Sequence, residues 1–450
     1  MESTTQTQFK FTEGQDEAYA KGREYILGKL KLDWFWITGA AGTGKTTITR
    51  ELAVAASKRM KVCISAPTGK AISVLRSMLG GINIDGYRTP HSLLGLRDNE
   101  SEFEPDFIKA ANVAIKYYDL IIFDEFSMLP SDMFDSLMEY QGKCKYIFVG
   151  DIEQLKPVKG TQANITQITD RVAGVALQEV VRQGLLSPIT RLATHLKTDF
   201  SVPPEYTVAL HEGHGTYVAR AGDTDERTWF REMLIDKFTS REYREDPNYA
   251  RVICATVNTT AQMNKAIRGY IYGDDVHEGR ILIGESLISN GRHLIDGEIV
   301  LTNNEQMKVV SYTIEDFYVS ETARFKIYNC MVLMIDQGHE INIRILHEDS
   351  LSDFNLALKF YKNKQTEYAK GSPDYGAAAA NYKALLSMFA MVDYNYACTC
   401  HKAQGSTYNT VFILLNNLLQ VSDANWDYDE KRRWLYTALT RASKDVILIV

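Results

Sequence analysis

Trp34-Phe35-Trp36-Ile37-Thr38-Gly39-Ala40-Ala41-Gly42-Thr43-Gly44-Lys45-Thr46-Thr47 decides the reading of this chain. A short apolar run ends at a glycine, and a helix-like segment follows from Lys45 to about Met60. Between them, Gly39 to Thr46 fits the pattern G-x-x-x-x-G-K-[ST] completely. Glycines let backbone N–H groups wrap phosphate oxygens at a helix N-terminus, where the helix dipole also favours an anion. In that setting Lys45 reaches the β- and γ-phosphates and Thr46 ligates Mg²⁺.

Outward from this loop the same texture repeats. Val62 to Ala66, Leu120 to Phe123 and Tyr146 to Val149 are further apolar runs of strand length. Strands alternating with helical stretches predict a parallel sheet covered on both faces. Arg251 to Thr256 opens another such pattern, so a second α/β domain is expected after about residue 175. From about Ile281 to Glu348 short β-rich pieces recur between polar turns, which predicts an inserted, barrel-like β unit. Residues 350–390 read as helical, and from about residue 396 the α/β texture returns.

Two strand ends carry chemistry. Asp124-Glu125 closes the second of these runs: one carboxylate there holds Mg²⁺ and its neighbour polarises an attacking water. Gly150-Asp151-Ile152-Glu153-Gln154 closes the third, where Gln154 can sense a γ-phosphate by hydrogen bonding without adding charge.

Composition narrows the class. At 450 residues the chain exceeds one ordinary core, so several domains are expected. Hydrophobic residues at 45% and charged residues at 24% exclude a fibrous or largely disordered protein. No apolar run reaches the roughly 18 residues needed to span a bilayer, and Met1 to Lys10 has no signal core. The six cysteines sit mostly in apolar runs and read as buried reduced thiols, which fits a cytoplasmic protein. Cys398-x-Cys400 beside His401 lacks a second ligand pair at zinc spacing, so metal binding there is disfavoured. A net charge of −7 argues against coating nucleic acid by bulk charge, yet allows a local basic groove. Leu52 to Ile84 contains no acidic residue, whereas carboxylates alternate from Asp98 to Asp106.

The stretches resemble, in family order, the motifs of superfamily 1 DNA helicases. Ala66-Pro67-Thr68-Gly69-Lys70-Ala71 is similar to motif Ia and Thr89-Pro90-His91-Ser92 to motif Ib. Asp124 to Met128 is similar to motif II and Gly150 to Val158 to motif III. Leu177 to Gln183 resembles motif IV, Tyr396 to Ser406 motif V, and Tyr436 to Ala442 motif VI. Phe11 to Gln15 resembles the adenine-reading Q motif. Motif style and compact length point to the RecD/Dda branch.

That resemblance implies two RecA-like parallel-sheet domains in an α/β fold. The first covers residues 1–175, with a pin insertion at about 93–108. The second comprises 176–280 and 396–450, and residues 281–395 form an inserted SH3-like β-barrel with a helical arm. It implies ATP hydrolysis with Mg²⁺ in a cleft, 5′→3′ travel on single-stranded DNA, and unwinding at single/double-strand junctions. By the same resemblance Gln15, Thr47 and Gly405 join Gly39 to Thr46 at the nucleotide. Arg182 and Arg441 supply positive charge at the γ-phosphate, a need set by phosphoryl transfer itself. Pro67, Thr68, Thr89, His91, Thr399, His401 and Lys402 line the strand. Phe103, the one large apolar candidate within the acidic run from Asp98 to Asp106, reads either as a strand-separating wedge or as an edge-strand side chain. Two positions depart from the pattern: Gly69, where relatives can carry histidine, and Ser406, where some carry glutamate. The expected setting is a monomer in the cytoplasm, the host's if phage-encoded, in DNA replication or recombination. Single-strand-binding and other replication proteins are its expected company, with no membrane.

Two rival readings remain. One is a nucleotide-dependent module that binds or remodels single strands without processive unwinding, which weak stimulation of ATPase by oligo-dT would favour. The other is the RecD-like motor subunit of a recombination complex; no Asp/Glu/Lys nuclease constellation is left over to accompany it.

Overall fold

A computed structural model describes residues 11–98, 107–109, 113–157, 160–179, 187–197, 200–277, 279–291, 293–295, 298–319, 324–369, 372–422 and 426–450. The chain forms two compact units. One holds Met1–Tyr217, Gln404–Ser406 and Val421–Val446, and the other Val218–Ala403, Thr407–Gln420 and Ile447–Val450.

The first unit is built on β1 (Trp34–Gly39), β2 (Val62–Ser65), β3 (Gly86–Arg88), β4 (Leu96–Asp98), β5 (Phe107–Lys109), β6 (Leu120–Phe123), β7 (Lys145–Gly150) and β8 (Val172–Leu177). Six of these make a sheet in the order β3-β2-β6-β7-β1-β8, parallel at each junction. Alternation along β1 explains why it sits inside the sheet, between β7 and β8. Phe35 and Ile37 join a core with α1 (Glu13–Ile26), α2 (Lys45–Ser57) and α3 (Gly69–Met78), while Trp34 and Trp36 join a second core with Ile121, Phe123 and Phe148. Both faces are therefore apolar and covered, as a parallel sheet requires. Because the strands run the same way, the loops after β1, β2, β3, β6 and β7 share one edge, where open α/β sheets bind ligands.

The acidic insertion begins and ends as a ribbon. β4 and β5 pair antiparallel, with Leu96 opposite Lys109 and Asp98 opposite Phe107. Phe103, between them, lies outside the described residues. A further hairpin, β9 (Val208–His211) with β10 (His214–Ala219), pairs His211 with His214.

In the second unit β11 (Ala250–Cys254) starts the α/β part. It is followed by β12 (Ser286–Ser289), β13 (His293–Ile295), β14 (Glu298–Leu301), β15 (Gln306–Tyr318), β16 (Arg324–Met334), β17 (Glu340–Leu346), β18 (Val392–Tyr394), β19 (Ala397–Thr399) and β20 (Tyr408–Leu414). β11 lies between β19 and β20, parallel to both. The β-rich insertion is an antiparallel five-stranded sheet, β17-β16-β15-β12-β18. The helices Leu351–Glu367 and Pro373–Met388 close its far end through Leu385 and the rings of Phe325, Phe354 and Phe389, which meet edge to face.

A buried ion pair anchors the insertion to the α/β part of this unit. Arg268 Nε donates to both carboxylate oxygens of Glu285 at 3.1 and 3.0 Å, and Tyr396 OH donates to the same group at 2.7 Å. One strand-to-helix junction occurs in both units. Thr68 (φ −124°, ψ 153°) and Thr256 (φ −123°, ψ 153°) each cap a helix after a buried strand, accepting the N–H three residues on. All six cysteines are buried. No described helix is long and apolar enough to cross a membrane.

Candidate active site and nucleic-acid interface

The phosphate loop takes its shape from two glycines that only glycine suits. Gly42 and Gly44 have φ of 83° and 80°, and a Cβ on Gly44 would lie 2.3 Å from Gln15 Nε2. Gln15 braces the loop from α1. Only 2% exposed, it donates from Nε2 to Thr43 O at 2.9 Å and accepts the Thr12 N–H at 3.1 Å, completing the cap of α1. Thr43 Oγ1 in turn donates to Ala40 O at 2.9 Å. Lys45 Nζ donates to Gly39 O and Ala40 O at 2.7 and 3.0 Å, so the ammonium sits over the loop. Thr46 and Thr47 follow in the first turn of α2, capped by Gly44 without a side-chain bond.

The next strand ends bring the carboxylates. Asp124 N–H bonds Ser65 O at 2.8 Å, tying β6 to β2 where both end. Burial first, then the Glu125 carboxylate, push the Asp124 carboxyl up to about 7 against the pull of the Lys45 ammonium. Glu125 holds a left-handed backbone (φ 54°), a conformation costing a non-glycine residue about 1–2 kcal/mol. Gly150 makes room for this turn, since a Cβ there would lie 2.9 Å from Phe126 N.

β7 leads into Asp151 and Gln154, and the Tyr428–Leu439 helix clamps this loop. Arg432 donates to Glu153 at 2.6 Å, and Arg433 to the carbonyls of Ile152 and Gln154. Leu155 N–H bonds Thr437 Oγ1 at 3.1 Å, and Lys156 pairs with Asp429 at 3.0 Å. Three cations around Asp429 hold its carboxyl far below the usual carboxylate range despite partial burial. Just past this helix, Arg441 is 6% exposed and donates to Thr437 O, Ser406 O and Thr440 Oγ1. Gly405 (φ 73°) comes against Ala71, which a Cβ would approach to 3.0 Å.

Several buried polar atoms around these segments have no hydrogen-bond partner among the described residues: Glu125 Oε2, Gln154 Oε1, Ser406 Oγ and both amide atoms of Gln404. Leaving such an atom unpaired costs about 1–3 kcal/mol. A nucleotide γ-phosphate and its attacking water carry the donors and acceptors these atoms lack, so the residues fit that ligand. Gln404 escaped the sequence reading, although an amide inside a quoted motif was the available signal. Arg182 lies outside the described residues.

The strand-binding candidates of the first unit share the same sheet edge. Pro67 and Thr68 follow β2, and Thr68 caps α3. Thr89 follows the adjacent β3 and caps a short helix that contains His91. In the second unit Thr399 ends β19, and His401 and Lys402 lie in the turn of helix after it. Lys402 Nζ donates to Asn290 Oδ1 at 2.8 Å. A cavity of about 1090 Å³ opens beside Thr399 and Lys402, lined also by Val257, Thr260, Ile288 and Tyr394. Val257 is 76% exposed, an apolar face at the start of its helix.

The AAA domain family matches residues 24–212, and the UvrD-like helicase C-terminal domain matches 394–449. The RecBCD enzyme subunit RecD of Buchnera aphidicola is 22% identical over 473 residues, covering 91% of this chain and 69% of that protein. The ATP-dependent DNA helicase dda of Enterobacteria phage T4 is 25% identical over 462 residues, covering 97% of this chain and 99% of the relative. In sequence the chain is thus similar to RecD and Dda proteins along most of its length. The solved Pif1 helicase of Candida albicans shares the fold at a TM-score of 0.53 and 15% identity, over 98% of this chain and 94% of that one. The RecD and Dda names among these relatives are those to which the motifs point.

Proposed function

We propose that this chain is an ATP-dependent DNA helicase that moves 5′→3′ on single strands and unwinds duplex at their junctions. The observation that carries the reading is one sheet edge. There the Lys45 loop, the Asp124-Glu125 turn and the Gln154 loop stand beside the Thr68 and Thr89 junctions, in the order β3-β2-β6-β7-β1. Nucleotide chemistry and strand contact on neighbouring loops of one sheet let a change at either bias the other.

In this reading Lys45 and the amides of Gly42 to Thr46 bind the phosphates, and Glu125 accepts a proton from the attacking water. Gln154 orients that water, and Arg441 faces the γ-phosphate. Thr46 and Asp124 would hold Mg²⁺, which when bound neutralises phosphate charge and relieves the crowding of carboxylates at Asp124. Strand phosphates are taken by Thr68, Thr89, Thr399 and Lys402, and bases lie on apolar faces such as Pro67. β8, the last strand of the first sheet, supports a first RecA-like domain ending near residue 175. Strands β12 to β18 support an inserted domain within 281–395. Polarity and a role in phage replication or recombination are supported by the likeness to the phage relative, which spans almost the whole of both chains.

The test is unwinding of duplexes with one single-stranded tail, in ATP and Mg²⁺. A 5′-tailed substrate should be opened and a 3′-tailed one left largely intact. Preference for the 3′ tail would overturn the polarity while leaving the hydrolytic site standing.

A further inference from the structure

Tyr436 and Asp151 form a contact that the roles given above leave unused. Tyr436 OH donates to Asp151 Oδ2 at 2.7 Å, and the two residues are 3% and 2% exposed. Asp151 Oδ1 accepts the Glu153 N–H at 3.0 Å, so the carboxylate also shapes the loop that ends in Gln154. On its other side the phenol oxygen meets the backbone N–H of Ala41, a residue of the phosphate loop. Burial, and then the negative charge of Asp151, push the phenol far above its ordinary range, so it stays neutral and keeps its proton toward the carboxylate. One oxygen atom thus links the phosphate loop to the Gln154 loop from the helix that Arg441 follows.

We propose that Tyr436 and Asp151 are a positioning pair for ATP hydrolysis, holding Gln154 and Arg441 in register with the phosphate loop. The proposal rests on the hydrolytic reading of that loop. Its physical basis is the cost of misplacement: groups that act as the γ-phosphate leaves must be held within a fraction of an ångström. Loop amides and the Tyr428–Leu439 helix come from segments far apart in the chain, and the phenol is the buried group that touches both. The ring alone could fill this space. It packs under Lys197 Nζ, 4.4 Å from the ring centroid, and phenylalanine would keep that contact. The hydroxyl is what distinguishes a positioning role from packing.

The experiment compares steady-state ATPase of the full chain with Tyr436→Phe, Asp151→Asn and the double variant, in saturating oligo-dT, with a thermal midpoint for each. A hydrogen bond to a charged group, when expressed in the transition state, is worth about tenfold or more in rate. Each single variant should therefore lose about tenfold or more in kcat, with KM for ATP held within about threefold. The double variant should be no worse than the weaker single one, because the residues act as a unit. Unchanged kcat, kcat and KM failing together, or additive losses would overturn the pair. Should Tyr436→Phe fail to fold, the nearly isosteric Asp151→Asn carries the same kcat-against-KM split. A wild-type chain with no ATPase would instead sink the hydrolytic reading, and the pair with it.

Discussion

Lys45→Ala is expected to abolish DNA-stimulated ATP hydrolysis while binding of single-stranded DNA without nucleotide survives. The ammonium lies over the phosphate loop, held by the carbonyls of Gly39 and Ala40. Its removal takes away the charge that meets the outer phosphates, and losing such a preorganised donor costs about a hundredfold to a thousandfold or more in turnover. The loop itself should keep its shape. Thr43 still bonds Ala40 O, Gln15 still bonds Thr43 O, and Gly42 and Gly44 keep their left-handed backbones. Filter binding of oligo-dT in the absence of nucleotide, beside an ATPase assay, separates the two effects. Retained DNA-stimulated turnover would remove the loop from the active site. Loss of both activities would mean that strand binding depends on this loop.

The phosphate loop and its sheet were legible because their causes are local. Glycines at fixed spacing and apolar runs of strand length needed no partner to be recognised, and the alternation in Trp34 to Ile37 even separates the two cores. Arg441 shows the opposite case. Its motif was readable, but its bonds run to Thr437 O and, 35 residues away, to Ser406 O. Tyr436 and Asp151 are separated by 285 residues, and nothing in either motif announces the other. Resemblance alone makes Gln15 an adenine contact; its amide also braces Thr43 O, a bond that spacing could not reveal. The left-handed backbone of Glu125 was hidden for another reason. Nothing in the residue type demands it; close packing of Phe126 on Gly150 accompanies it. Local pattern thus exposes the loops that meet a ligand, while the contacts that set their mutual positions come only with the fold.

Arg441→Ala should leave nucleotide affinity within several-fold of wild type and cut turnover by about 10³–10⁵, the worth of an arginine at a transferring phosphoryl group. The argument starts from its surroundings. The guanidinium is 6% exposed, yet its partners are two carbonyls and a hydroxyl, with no carboxylate paired to it among the described residues. A buried cation with only neutral acceptors has lost its hydration without gaining a counter-charge, which is costly. An anion arriving nearby would supply that counter-charge. The gain would be largest when negative charge on the departing γ-phosphoryl group is greatest, in the transition state rather than the bound ground state. Alanine should therefore spare binding and strike turnover. Stability should fall little, or rise, because the variant no longer buries an unpaired charge, although it opens a small cavity. Nucleotide affinity measured by titration with a slowly hydrolysed analogue, beside kcat for ATP, checks the prediction. Parallel losses in affinity and kcat would make Arg441 a ground-state contact. Unchanged kcat would mean that the charge at the γ-phosphate comes from elsewhere in the chain.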